Sequence, residues 1–298
     1  MLKICVDIGG TKTIVGIINH SLNIIASQKF KTEKNDPQKQ FDQIIHIANQ
    51  YVVDFKDIDK ESLNIAMPGP CDYTKGVFLN PPNLQDYNGF NAGKYIKENS
   101  KFKPQFVNDT DAAILAEYQS IQTQTSDFIY LTISTGVGMA YMKQGQLVSG
   151  VDGNFGEIGH TVINNKSSYQ CPVCEQYGCV ENEISGLAIS KKASDILKKD
   201  VSTKEAIEMY IKNENQEITQ MIEEVLKLTQ QLCTNLFSIF NIYHIVLGGG
   251  VTQSPLPYKE SIETYVKAHH LIRQSPINLK ISNLEANVLT GLYFVNEL

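Results

Sequence analysis

Cysteine is scarce in this chain, six among 298 residues, too few to hold a fold of this size as a disulfide scaffold. No run of about 18 apolar residues is present, so the sequence offers no membrane span. The opening MLKICVDIGG lacks a basic stretch followed by a long apolar one, and no secretion signal is evident. The expectation is a soluble, cytoplasmic protein with reduced thiols. Charge is sparse too: 19% of residues are charged, against ~25% in ordinary domains. Its balance is acidic, 26 Lys and Arg against 32 Asp and Glu, a net −6. A nucleic-acid partner needs a net basic face, so that class is disfavoured. Asn and Gln, 23 and 20 residues, supply much of the polar surface instead. Neither G-x-G-x-x-G nor G-x-x-x-x-G-K-[ST] occurs, which argues against Rossmann and P-loop nucleotide sites.

What is present is a 42% apolar composition, enough for a substantial core, in a length that suits one large domain or two ordinary ones. Leu2 to Asp7 and Thr13 to Ile18 read as strands joined by a Gly-rich turn. A second such unit runs from Phe128 to Ile133 through Ser134–Gly138 to Met139–Met142, and then Gln146–Val148. Two strand–turn–strand units imply an internal duplication. Between them lie a helix over 41–55, a strand over 63–66, a Pro/Gly/Asn-rich loop region over 67–89, a strand over 105–107 and a helix over 111–118. The second half predicts helices over 185–198 and 217–240, a strand over 244–247 and a last helix over 285–294. Strands alternate with helices, so the class is α/β.

Three Gly/Thr turns follow apolar strands: Asp7-Ile8-Gly9-Gly10-Thr11-Lys12, Ser134 to Gly138, and Gly248-Gly249-Gly250. Glycines let backbone amides approach an anion, and a Thr hydroxyl adds a donor. One such turn is most often structural; three of them, with Asp7 available to magnesium, suit a nucleotide held between two related lobes. Asp109 follows a strand and precedes a helix, where a carboxylate is stabilised. Spacing alone favours a helix cap for it, with catalysis as the alternative. His160, Cys171, Cys174 and Cys179 form H-x10-C-x2-C-x4-C, four ligands suited to a closed, structural zinc site. The competing reading is free thiols beside a buried histidine. If one nitrogen of His160 binds metal, the other keeps its proton and can donate to a hydroxyl.

DIGGTKT at 7–13 resembles the first phosphate motif of the ROK family (repressors, open reading frames, kinases). The similarity continues in order through MPGP at 67–70, NPPNL at 80–84, NDTDAAILAE at 108–117, STGVG at 134–138 and GNFGEIGH at 153–160. It then runs through CPVCEQYGCVE at 171–181, SGLAI at 185–189 and LGGGV at 247–251. The resemblance implies a two-lobed, duplicated actin/hexokinase-like (ribonuclease H-like) fold with nucleotide and sugar in the interlobe cleft. It implies an N-terminal lobe over 1–109, a C-terminal lobe over 110–284 and a final helix over 285–298 packing back on the first lobe. By the same resemblance Asp109 is the general base and Asn108 touches sugar, as do Glu157, His160 and Glu181. Gly153 and Asn154 line the loop, and Asn83 closes from the other lobe. Asp7, Gly9, Gly10, Thr11, Lys12, Thr135, Gly136, Gly138, Gly248, Gly249 and Gly250 would serve ATP and Mg2+.

Departures from the family pattern are also legible. The cysteine loop is usually C-x-C-G-x2-G-C; here the first cysteine is displaced by one residue, Pro172 takes its place and Glu175 replaces a glycine. The second phosphate turn is usually GTGxGGG; Ser134 and Met139-Ala140 replace glycines here. The resemblance implies an ATP-dependent sugar kinase and a homodimer. GEIGH and AMPGP look glucokinase-like, pointing to the 6-hydroxyl of glucose. STGVG also occurs in N-acetylmannosamine kinases, and fructose, N-acetylglucosamine and glucosides remain alternatives. A repressor of the family would carry a helix-turn-helix before the first phosphate motif, which here starts at residue 7. A weak sugar sensor is the remaining alternative.

Overall fold

The computed structural model describes every residue except Thr123, Arg273, Glu285 and Leu298. In chain order the strands are β1 (Leu2–Ile8), β2 (Lys12–Ile18), β3 (Ile24–Lys31), β4 (Ile58–Met67), β5 (Cys71–Asp72), β6 (Val77–Phe78), β7 (Lys103–Asn108), β8 (Phe128–Ile133), β9 (Val137–Lys143), β10 (Gln146–Leu147), β11 (His244–Gly248) and β12 (Asn278–Ile281). The α-helices are α1 (Pro37–Asp54), α2 (Ala92–Asn99), α3 (Asp109–Ile121), α4 (Val180–Ile184), α5 (Gly186–Leu197), α6 (Thr203–Ile211), α7 (Gln216–Phe240), α8 (Tyr258–His269) and α9 (Asn287–Gly291).

The chain divides into two compact units: residues 1–126, 142–155 and 284–298 form the first, and 127–141 with 156–283 the second. The first unit is built on the sheet β3-β2-β1-β4-β7, in which β1, β2 and β3 are antiparallel while β4 and β7 run parallel to β1. Alternate residues of β1 and β2 (Ile4, Val6, Ile8, Val15, Ile17) meet Phe41, Ile44, Ile47 and Ala48 of α1 in a continuous core. Helix α1 starts where Asp36 accepts the N–H of Lys39 at 3.0 Å and Pro37 takes the first turn, a position needing no donor. On β2, Gly16 has no Cβ to hold off Leu289 of α9; one would sit 3.0 Å from that side chain. Buried polar groups tie the chain end to the sheet: Lys3 Nζ donates to Tyr293 O and Asn64 Nδ2 to Leu292 O, both at 2.7 Å.

The second sheet repeats the order of the first, β10-β9-β8-β11-β12, with β8, β11 and β12 parallel. Helix α7 buries Ile218, Ile222, Val225, Leu232, Leu236 and Phe237, the apolar stripe expected from spacings of three and four, and stops at Asn241 with φ 50°.

The sequence places the change of lobe after residue 109, but α3 stays with the first unit. Gly291 of α9 lies so close to the Ala112 backbone that a Cβ would overlap it, which locks α3 to the C-terminal helix. The last helix is also shorter than expected. Its proposed start, Glu285, lies outside the described residues; α9 covers Asn287–Gly291 and a 3-10 segment covers Leu292–Glu297. Among the described residues, no helix is long and apolar enough to cross a membrane.

Candidate functional site

In the first unit, β1 ends in Asp7 and Ile8 and the chain turns through Gly9, Gly10 and Thr11 into β2, closing with Gly9 N–H on the Lys12 carbonyl at 3.0 Å. Thr11 and Lys12 are exposed. Asn83 packs on this turn: a Cβ at Gly10 would come within 3.0 Å of its Cβ. The Asp7 carboxyl is pushed up to about 6, first by burial and then by the charge of Asp109, with Lys12 pulling the other way.

Asp109 is the first residue of α3. The cap belongs to Asn108, whose Oδ1 accepts Thr110 N–H at 2.8 Å while its Nδ2 donates to Tyr73 Oη at 2.9 Å. One oxygen of Asp109 shares Thr110 N–H at 2.8 Å and takes its hydroxyl at 3.2 Å. Surrounding protein raises the Asp109 pKa, and Thr110 partly opposes this. Tyr73 also backs Gly153, whose φ of +83° suits glycine and whose Cβ would lie 3.0 Å from the ring. Asn154 is spent on the backbone of Cys71, Oδ1 accepting its N–H at 3.4 Å and Nδ2 donating to its carbonyl at 3.1 Å. Its amide therefore shapes the loop.

In the second unit, one ligand atom each from His160, Cys171, Cys174 and Cys179 lie within 4.8 Å of one another. Cys171 Sγ is 3.7 Å from His160 Nδ1, close to the edge of a tetrahedron with metal–sulfur bonds of about 2.3 Å. The residues fit a zinc ion, and the displaced Cys171 reaches the cluster. Glu157 is exposed and precedes the 3-10 turn Ile158–His160. Glu181, in α4, has one oxygen engaged: its Oε2 accepts Val137 N–H at 3.0 Å, joining the cysteine loop to the second phosphate turn. Gly136 makes this approach possible, since a Cβ there would fall 2.5 Å from Oε2.

That turn also docks on α5, where Gly186 N–H donates to the Ser134 carbonyl at 2.7 Å and Leu187 N–H to Thr135 at 3.4 Å. Gly138 lies at the start of β9. The third turn divides by role. Gly248 faces the Tyr130 hydroxyl and Gly249, at φ +90°, faces the Ile133 carbonyl, each too close for a Cβ. Gly250 has open space beside it. Together with Ser134, Thr135, Gly186, Leu187, Ile207, Ile211 and Pro255 it lines a largely apolar cavity of about 600 Å³. Sequence reasoning missed most of this cavity because α6, which carries Ile207 and Ile211, was not expected.

The model of the ROK family matches residues 3–288. The chain belongs to the ROK family. An N-acetylmannosamine kinase from Escherichia fergusonii is 27% identical over 268 residues, covering 89% of this chain and 88% of the relative. Among solved structures, a ROK hexokinase from Thermus thermophilus superposes with a TM-score of 0.86 at 24% identity, covering 99% of this chain and 97% of that one. A ROK family glucokinase from Streptomyces griseus, solved with glucose and AMPPNP, gives 0.78 at 21% identity, covering 98% of each chain. The fold of this ROK protein is the actin/hexokinase-like one, with the same strand order in both sheets. The unusual Glu175 of its cysteine loop adopts φ +60°, a left-handed conformation, which explains why glycine suits this position. Gly178 is kept for a stricter reason: at φ +71° its Cβ would overlap the Asn164 carbonyl.

Proposed function

We propose that this ROK chain is an ATP- and magnesium-dependent sugar kinase acting on the 6-hydroxyl of a hexose or 2-acetamido hexose. The observation that carries this reading is Asp109, a carboxylate at the start of α3, next to the cap residue Asn108 and near enough to Asp7 for its charge to be felt there. Asp109 takes the proton of the hydroxyl as its oxygen attacks the γ-phosphorus, and the bond to the β–γ bridging oxygen breaks to release ADP. The amides of Gly10 and Thr11 and the Lys12 ammonium receive the phosphates. Asp7 would hold the magnesium: burial first, and the charge of Asp109 second, push its carboxyl up to about 6, and a bound cation would favour its charged form. Bound magnesium supplies charge neutralisation on the transferred phosphoryl group. The apolar cavity beside Gly250 receives the nucleoside.

His160 and the three cysteines would hold zinc; with one imidazole nitrogen so engaged, the other would keep its proton and donate to the sugar beside Glu157 and Glu181. Resemblance of the sugar motif favours glucose, while the N-acetylmannosamine kinase relative places that amino sugar beside it in the test. By the same resemblance the chain works as a homodimer, which sedimentation velocity checks. A coupled assay of ADP release across glucose, mannose, fructose, N-acetylglucosamine and N-acetylmannosamine decides the substrate. Sugar-dependent ADP release with one of them is expected; binding of sugar without turnover in all of them would overturn the kinase reading in favour of a sensor.

A further inference from the structure

The first phosphate turn is gripped from behind by one residue that no phosphate motif contains. Thr32, just past β3 and only 2% exposed, donates its N–H to the Thr11 carbonyl at 3.1 Å and its hydroxyl to the Gly9 carbonyl at 2.7 Å. The hydroxyl proton is thus committed to Gly9. Thr13 therefore donates to Thr32 Oγ1 across their 3.0 Å contact, and Thr13 in turn accepts Gln40 Nε2–H at 2.7 Å. Gln40 is anchored on its other side by Glu33 N–H, which donates to Oε1 at 2.9 Å. Thr13 and Gln40 are fully buried, so this relay does not exchange with water.

Its direction matters because a trans peptide sets its C=O and N–H on opposite sides. Gly9–Gly10 is trans, so drawing the Gly9 carbonyl inward turns the Gly10 N–H outward. Among the described residues nothing accepts from the N–H of Gly10 or Thr11. Donors that are fixed before the anion arrives need no reorganisation on binding. We infer that Thr32, supported by Thr13 and Gln40, is a positioning residue that presets the Gly10 amide for the phosphates of the nucleotide. This deepens, and rests on, the kinase reading above.

Titration calorimetry of MgADP without sugar, paired with steady-state KM values for ATP and sugar, tests the inference. Thr32→Val removes the hydroxyl and keeps the shape. It is expected to weaken ADP binding and raise the ATP KM about tenfold, with the sugar KM within about twofold. Thr32→Ser, which restores the donor, is expected to return both to within about twofold of wild type. Should Thr32→Val fail to fold, Gln40→Met removes the far donor without touching the turn and is expected to raise the ATP KM by about threefold. Unchanged ADP binding in a folded Thr32→Val or Gln40→Met protein, or a Ser variant as weak as the Val one, overturns the inference. So does a parallel rise in both KM values, which marks general loosening. Failure of the kinase reading looks different: wild type then phosphorylates no sugar, while Thr32-dependent ADP binding still supports the relay. Wild type that binds no ADP overturns both.

Discussion

The carboxamide oxygen of Asn108 accepts the N–H of Thr110 at 2.8 Å, so the residue ahead of Asp109 occupies the cap of α3 and Asp109 begins the helix itself. The cap that spacing favours for Asp109 is therefore taken by its neighbour. Asp109→Asn should then leave the fold intact and lower kcat by about 10³-fold, the size of a lost general base, with sugar binding little changed. Near-normal turnover in a folded variant would remove the role of base from Asp109.

Asp7 gives a prediction in pH. Its carboxyl is held at about 6 in the folded chain against an ordinary value of 3.8, so the folded state binds this proton more tightly than the unfolded one. The stability it contributes is fully present below about pH 4 and is lost as pH rises through about 6, a change of up to ~3 kcal/mol. Asp7→Asn should flatten this fall and stabilise the protein near neutrality, at the expense of magnesium-dependent turnover. Urea denaturation from pH 4 to pH 8 checks it; a fall of the same depth in the variant would contradict the assignment.

The cysteine cluster predicts zinc. Purified protein should hold one equivalent, and Cys171→Ser should weaken retention against a chelator by at least about tenfold, because a four-ligand site drops to three. Metal analysis after dialysis reads this directly. Sugar affinity should fall with the metal, since His160 loses its orientation.

Lys192 offers a stability test away from the chemistry. Its ammonium meets Glu183 Oε2 at 2.7 Å, with side-chain exposures of only 12% and 2%, and Asn164 Nδ2 donates to the same oxygen at 3.3 Å. Lys192→Met strands a buried carboxylate and should cost about 3–5 kcal/mol, whereas Lys192→Met with Glu183→Gln should recover part of the loss. Chemical denaturation of both variants distinguishes a paired charge from a merely packed one.

The hairpin at the start, its repeat near residue 128 and the α7 stripe were legible because each obeys a single local period. Strand β3 was not: most of its residues are exposed, and it carries no apolar alternation to mark it as strand. Missing β3 concealed Thr32 just beyond it, and the link from Thr32 through Thr13 to Gln40 joins a strand end to a helix turn that no spacing rule connects. For the site, residue type and local order exposed the cluster His160, Cys171, Cys174 and Cys179. They did not reveal that Glu181 holds the Val137 amide or that Asn154 is occupied by Cys71.

What the sequence determined by itself was the α/β class, the doubled strand–turn–strand plan and the inventory of groups able to do chemistry, because period, glycine placement and ligand spacing are local properties. Only the tertiary structure decided how those groups are used: which asparagine caps α3, which glycines are small for packing and which faces a cavity, and which carbonyl is pulled inward to aim an amide out. A hydrogen bond is directional and joins residues far apart in the chain, so its partners emerge only when the sheets and helices have packed.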